Sequence, residues 1–209
     1  MAVDAGLRSF MIGVYNKVAL GLVVSAALAY LTSSVAPIRD LMFVVGADGR
    51  LAGMTPLGWI VAFAPLGILL VSGFAMRNPT SRAASALYWT IVALIGGSLG
   101  VVGLMYTGAS IASMFLITAT AFGALSLVGY TTKKDLTGFG SFLIVGVIGV
   151  FVFAGLIAYD TQRLKLSYYE LGGNEAARGV ATSYGALSLY INFINLFQFL
   201  LSLFGQRRD

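Results

Sequence analysis

The chain has 209 residues, 58% hydrophobic and only 10% charged, and its 13 basic and 8 acidic side chains leave a formal net charge of +5. A soluble domain carries roughly 25% charged residues, so there is too little polar surface here for a water-soluble globule, and the chain reads as a polytopic membrane protein. Cysteine and histidine are absent, which excludes a disulfide framework, a Cys/His zinc site, a cysteine nucleophile and a Ser-His dyad.

In chain order, apolar runs of about 20 residues, the length that crosses a hydrocarbon core of about 30 Å, fall at 18–36, 57–76, 85–106, 109–130, 139–159 and 182–204. The first is too long for a signal-peptide core, and Pro37 follows its only small-residue site, so it is read as a span. Pro65 predicts a kink in the second span. Only Thr107 and Gly108 separate the third from the fourth, which predicts a tight antiparallel hairpin. Gly96, Gly97, Gly100 and Gly103 predict close helix approach. They are not a nucleotide loop, because no strand precedes them and no Walker lysine follows. Lys133, Lys134 and Asp135 read as a solvated cytoplasmic turn, and Gly146, Gly149 and Gly155 predict a bendable fifth segment. The expected fold is an all-α transmembrane helical bundle with six apparent spans, one domain over residues 1–209.

Loop charge sets the expected orientation. The positive-inside rule places the N-terminus (Arg8, Lys17), the loop with Arg77 and Arg82 and the loop with Lys133 and Lys134 in the cytoplasm. If 139–159 crosses once, Arg163, Lys165 and Arg178 lie outside, and 8 basic residues face inward against 5 outward. If that segment turns back or another span is present, the balance is 9 against 4 and the C-terminus lies outside. The fifth segment is therefore the irregular part of the topology. Elsewhere the basic residues are scattered singly among loops, which is no nucleic-acid footprint.

Asp160 is the main candidate functional residue. It ends the uncharged stretch 139–159 and opens the basic sequence Thr161-Gln162-Arg163-Leu164-Lys165. An ionisable group at membrane depth is costly unless it faces protein or water, and is a functional candidate by default. The plainer readings are a helix-end cap or an ion pair with Arg163 one turn on, but the macrodipole makes a C-terminal helix end unfavourable for an anion. With no histidine, any pH response has to come from a carboxylate. On the last span, Ser188, Asn192, Asn195 and Ser202 fall at offsets of 0, 4, 7 and 14, with Gln198 nearby, forming a polar stripe expected to face the bundle interior. Helix–helix hydrogen bonding accounts for such a stripe at about 0.6 kcal/mol per contact.

Four separated motifs carry a family resemblance. They are Tyr106-Thr107-Gly108-Ala109-Ser110-Ile111-Ala112, Gly129-Tyr130-Thr131-Thr132-Lys133-Lys134-Asp135-Leu136, Ala158-Tyr159-Asp160-Thr161-Gln162, and Leu189-Tyr190-Ile191-Asn192-Phe193-Ile194-Asn195-Leu196-Phe197. Over nearly its whole length the chain resembles the bacterial branch of the Bax inhibitor-1 family. The resemblance implies a seven-helix, multi-pass inner-membrane protein, similar to members described as pH-sensitive calcium leak channels. A bacterial branch is associated with modulating a membrane-bound ATP-dependent protease. The chain departs from the family in two places. It passes directly through Phe142 to Phe153, where the family has a further apolar stretch. It also carries Asn192 where the family has its second acid. Two carboxylates about 4 Å apart repel by about 4 kcal/mol at an effective dielectric near 20, or roughly three pKa units. With Asn192 that repulsion is gone, and a weaker or shifted pH response is expected.

The expected function is a proton-modulated cation leak. Asp160 is its titrating switch, Asn192 and Asn195 are its hydrogen-bond partners, and Asp160 with Asn192 is the cation-binding pair. On deprotonation Asp160 is expected to lose a donor bond to Asn192 or Asn195, so that the last two helices part. The alternative is a regulator of a membrane protease without a pore of its own. No enzyme activity and no cofactor are expected, with calcium entering only as the transported ion. The lipid bilayer and a membrane protease are the expected partners, and nucleic acid is not.

Overall fold

The computed structural model describes residues 5–132, 149–172 and 174–208. Their elements are α1 (Ala5–Ser34), α2 (Ala36–Met42), β1 (Phe43–Val45), β2 (Leu51–Met54), α3 (Pro56–Ala75), α4 (Ser81–Ser98), α5 (Gly100–Met105), α6 (Gly108–Thr131), α7 (Gly149–Glu170) and α8 (Glu175–Phe204). The protein is an all-α membrane-type fold. Among the described residues, five segments are long and apolar enough to cross a membrane: α1, α3, Ser81–Met105, α6 and α8. Local chemistry sets several helix starts. Thr55 accepts Gly58 N at 3.1 Å with Pro56 in the first turn, Thr80 accepts Ala83 N at 3.2 Å, and Asn174 Oδ1 accepts Ala177 N at 3.1 Å. Gly172, at φ +54, takes the left-handed conformation that ends α7.

Several expectations change. The first helix starts at Ala5, so Lys17 lies inside it rather than before it. Leu7, Phe10, Met11 and Val14 are all buried, and this inward stripe extends the helix beyond the purely apolar run. The third span divides at Leu99, whose N–H bonds to Ile95 O and whose carbonyl accepts Val102 N. The second span, by contrast, keeps Pro65 inside one helix, Pro56–Ala75, as its position predicts. The fifth segment is observed only from Gly149. The turn at Lys133–Asp135, Gly146 and the first half of 139–159 lie outside the described residues.

The chain forms two compact units. One comprises Ala19–Ile111 and Gln206–Asp209. Here Gly96 and Gly100 let α1 approach closely: a Cβ on Gly96 would collide with the Ser25 backbone, and one on Gly100 with Thr32. Ser25 Oγ donates to Val92 O at 3.2 Å and Thr32 Oγ1 to Gly97 O at 3.0 Å, so the polar groups at this contact are satisfied. Phe43 pairs with Met54 in an antiparallel β-hairpin, and Met42, Phe43 and Leu104 form a small core. The C-terminal residues lie along the turn before α6. Thr107 N donates to Gln206 O at 3.0 Å, Arg208 N to Met105 O at 2.9 Å, and Gln206 N to Ser110 Oγ at 2.9 Å.

The other unit comprises Met1–Val18 and Ala112–Gly205. Edge-to-face rings pack within it, Phe122 on Phe193 and Tyr15, and the more exposed Phe115 on Phe193 and Phe197. Gly129 brings α6 against α7 so closely that a Cβ would strike the Ala158 carbonyl, and Gly185 accommodates Leu164 between α7 and α8.

Candidate functional site

The packing of α7 against α8 creates the site. α7 continues past Asp160 to Glu170, so this aspartate is not a helix-end cap. Ile157, Thr161, Leu164 and Tyr168 are buried along one stripe, which keeps the helix docked beyond the last purely apolar turn. Asp160 is 9% exposed. Its Oδ2 accepts hydrogen bonds from Ser188 Oγ and, at 2.7 Å, from Asn192 Nδ2. Ser188 and Asn192 stand one turn apart on α8 and so converge on one carboxylate.

The geometry divides the residues expected from the sequence. Asn192 joins Asp160, as does Ser188 from the same polar stripe. Asn195 is only partly buried and makes no hydrogen bond with Asp160 among the described residues. Gln198 and Ser202 are exposed rather than facing the interior, and Ser202 Oγ donates to Phe199 O at 2.8 Å. Asp160 Oδ2 accepts both of these contacts from α8. Among the described residues Arg163 makes no ion pair with Asp160; the one observed pair is Arg39 with Asp40.

Asp160 lines a cavity of about 380 Å³ together with Arg163, Leu164 and Ser167 of α7 and Tyr184 and Ser188 of α8. Arg163 is exposed at its rim. A second cavity of about 270 Å³ shares Arg163 and Ser167 and extends along α7 to Glu170. Among the described residues no three Asp or Glu side chains cluster as a metal cage would require.

Polar contacts tie the neighbouring helices to this pair. Tyr15 Oη and Thr161 Oγ1 are 3.2 Å apart. Lys17 Nζ donates to Ser183 Oγ at 2.8 Å, and Ser183 Oγ donates to Gly179 O at 3.1 Å. Lys165 Nζ donates to Tyr130 O at 2.8 Å near the end of α6, where a cation is favoured by the macrodipole. Arg178 stacks on Tyr168 with its guanidinium carbon 4.6 Å from the ring centre. Sequence reasoning missed Tyr15 and Lys17. Their signal was polarity within a helix whose neighbouring residues bury apolar side chains.

Comparison with known proteins adds the following. Residues 7–153 and 144–209 match the family described as inhibitor of apoptosis-promoting Bax1. A protein of Caulobacter vibrioides is 65% identical over 233 residues, covering 100% of this chain and 93% of the relative. The inner membrane protein YbhL of Escherichia coli K12 is 35% identical over 98% of this chain and 94% of its own length. A Streptococcus pyogenes membrane protein is 30% identical over 97% and 95%. The Caulobacter alignment exceeds the 209 residues of this chain by about 24 positions, so that relative carries about one helix's worth of residues without a counterpart here. The family match breaks into two pieces overlapping at 144–153, where the sequence runs directly from Phe142 to Phe153.

Proposed function

The chain belongs to the family of inhibitors of apoptosis-promoting Bax1, and we propose that this multi-pass inner-membrane protein is a proton-modulated cation leak with Asp160 as its switch. The observation that carries this reading is the buried Asp160 carboxylate accepting Ser188 and Asn192. Ionised, it holds α7 to α8 through two charge-assisted hydrogen bonds. Protonation makes it a weaker acceptor. A bond to a charged group contributes about 1.5–3 kcal/mol and a neutral one about 0.5–1.5. Losing about 1 kcal/mol at each bond shifts a closed–open equilibrium by on the order of 30-fold. The lock is therefore strongest above the titration range of Asp160 and fails as pH falls through it. This proposal takes the opposite sign from the expectation drawn from the sequence.

Calcium is the transported ion in this reading. It takes about six to eight oxygen ligands, whereas the cavity supplies one carboxylate and the hydroxyls of Ser167, Tyr184 and Ser188. That set favours passage over tight retention.

Orientation follows from the C-terminal residues. They pair with Met105 and Thr107, at the opposite end of α4–α5 from Arg77 and Arg82. With that basic loop in the cytoplasm, the C-terminus faces outward. A single crossing by α8 then leaves Arg163, Lys165 and Arg178 on the cytoplasmic side, in agreement with the 9-against-4 charge balance.

The test is calcium flux from liposomes carrying the purified protein, measured across pH. Flux that rises as pH falls supports the leak; no flux above empty liposomes at any pH removes it.

A further inference from the structure

The α7–α8 cavity is lined by two side chains of opposite charge, Asp160 and Arg163, that form no ion pair among the described residues. Asp160 engages α8 through Oδ2, and no hydrogen bond to its other oxygen is observed among the described residues. Arg163, three residues on, lines the same cavity without an ion pair or hydrogen bond among the described residues. The hydroxyls of Ser167 and Tyr184 face the same space, likewise without a partner among the described residues. Arg163 is exposed and Ser167 and Tyr184 are partly so, and together with Asp160 they offer a ligand donors and an acceptor in one open cavity.

We propose that this cavity binds the headgroup of a phosphatidylethanolamine lipid, with its ammonium on Asp160 and its phosphate on Arg163. The inference rests on the reading above that Asp160 is ionised at rest, and it adds a regulator to that site. Three features point to this occupant. First, Asp160 and Arg163 stand three residues apart on one face of α7 and line one cavity, so a single zwitterion can meet both. A guanidinium also matches phosphate geometry in bidentate fashion. Second, an ammonium with N–H donors can hydrogen-bond Asp160, whereas a quaternary choline cannot. A headgroup carrying only a negative charge meets Arg163 but is repelled by Asp160. Third, the cavity sits where α7 changes from apolar to charged. Phe153 to Tyr159 carry no charge, while Arg163, Lys165 and Glu170 follow within about 15 Å of helix beyond Asp160. A change of this kind suits a helix that reaches the headgroup layer there. An occupied cavity braces α7 and α8 in the closed arrangement.

The test measures lipid retention by the purified full chain, using native mass spectrometry and thermal unfolding in mixed micelles. Phosphatidylethanolamine, phosphatidylcholine and phosphatidylglycerol are compared. The wild type is expected to retain phosphatidylethanolamine about tenfold more tightly than either other lipid. Asp160→Asn loses that preference, whereas Arg163→Gln weakens retention of all three phospholipids alike, while far-UV dichroism shows each variant folded. Equal retention of all three lipids by the wild type, a preference unchanged in Asp160→Asn, or retention unchanged in Arg163→Gln overturns the proposal. Free phosphoethanolamine binding as tightly as the lipid overturns the lipid source in favour of a soluble zwitterion. The readout involves no ion movement, so it fails separately from the leak. Preferential retention without flux refutes the leak alone, and flux without lipid preference refutes the headgroup site alone.

Discussion

Asn192 places its amide Nδ2 2.7 Å from the carboxylate of Asp160, joining two helices through residues 32 positions apart in the chain. An amide donor at this position is compatible with an ionised Asp160, and a second acid would not be. The resemblance puts an acid where Asn192 stands, so this pair is where the chain's pH behaviour departs from that pattern.

Restoring the acid with Asn192→Asp creates two carboxylates that can share one proton and repel when both ionise, by about 4 kcal/mol at 4 Å and an effective dielectric near 20. Liposome flux of this variant is expected to rise toward alkaline pH, where the wild type is closed. A profile superimposable on the wild type would show that position 192 does not face the switch.

Ser188→Ala removes one of the two donors and leaves the other in place. The lock weakens by about 1 kcal/mol, so flux at neutral pH is expected to rise about fivefold and the acid response to begin at higher pH. Unchanged flux would assign the whole lock to Asn192.

Gly129 is a point where α6 and α7 cannot separate by side-chain adjustment, because a Cβ there meets the Ala158 carbonyl. Gly129→Ala is expected to destabilise the protein by about 1–3 kcal/mol, read as a lower unfolding temperature in detergent. Gly123→Ala, with nothing within 4 Å of the new Cβ, serves as the neutral control. Equal behaviour of the two would contradict the close approach.

Orientation can be read by single cysteines on this cysteine-free chain. Arg208→Cys is expected to react with an impermeant maleimide in intact cells, and Asn174→Cys only after permeabilisation. The opposite pattern would place the α7–α8 turn outside.

The spans were legible because mean hydropathy alone marks 20-residue apolar runs, and α3 and α6 match the expected limits within one residue. Helix ends that leave the apolar run were not. α1 starts 13 residues before its run because Leu7, Phe10, Met11 and Val14 bury one stripe of an otherwise mixed helix. The extension of α7 had a visible signal in Ile157, Thr161, Leu164 and Tyr168, spaced three to four residues apart. The β-hairpin also had one, in Gly46-Ala47-Asp48-Gly49 between apolar residues, with Gly49 at φ +76. Asp160 stood out as the charge at the end of an apolar run. Its partners were only partly legible, because one carboxylate can be reached from two consecutive turns of α8 but not from a third. Ser188 and Asn192 therefore engage it and Asn195 does not.

The most direct test of the switch compares calcium flux through wild type and Asp160→Asn across pH in the same liposomes. Asparagine removes the charge and cannot titrate, so the account predicts raised flux that no longer responds to pH. Wild-type flux that rises with acid, together with an identical rise in Asp160→Asn, would contradict it.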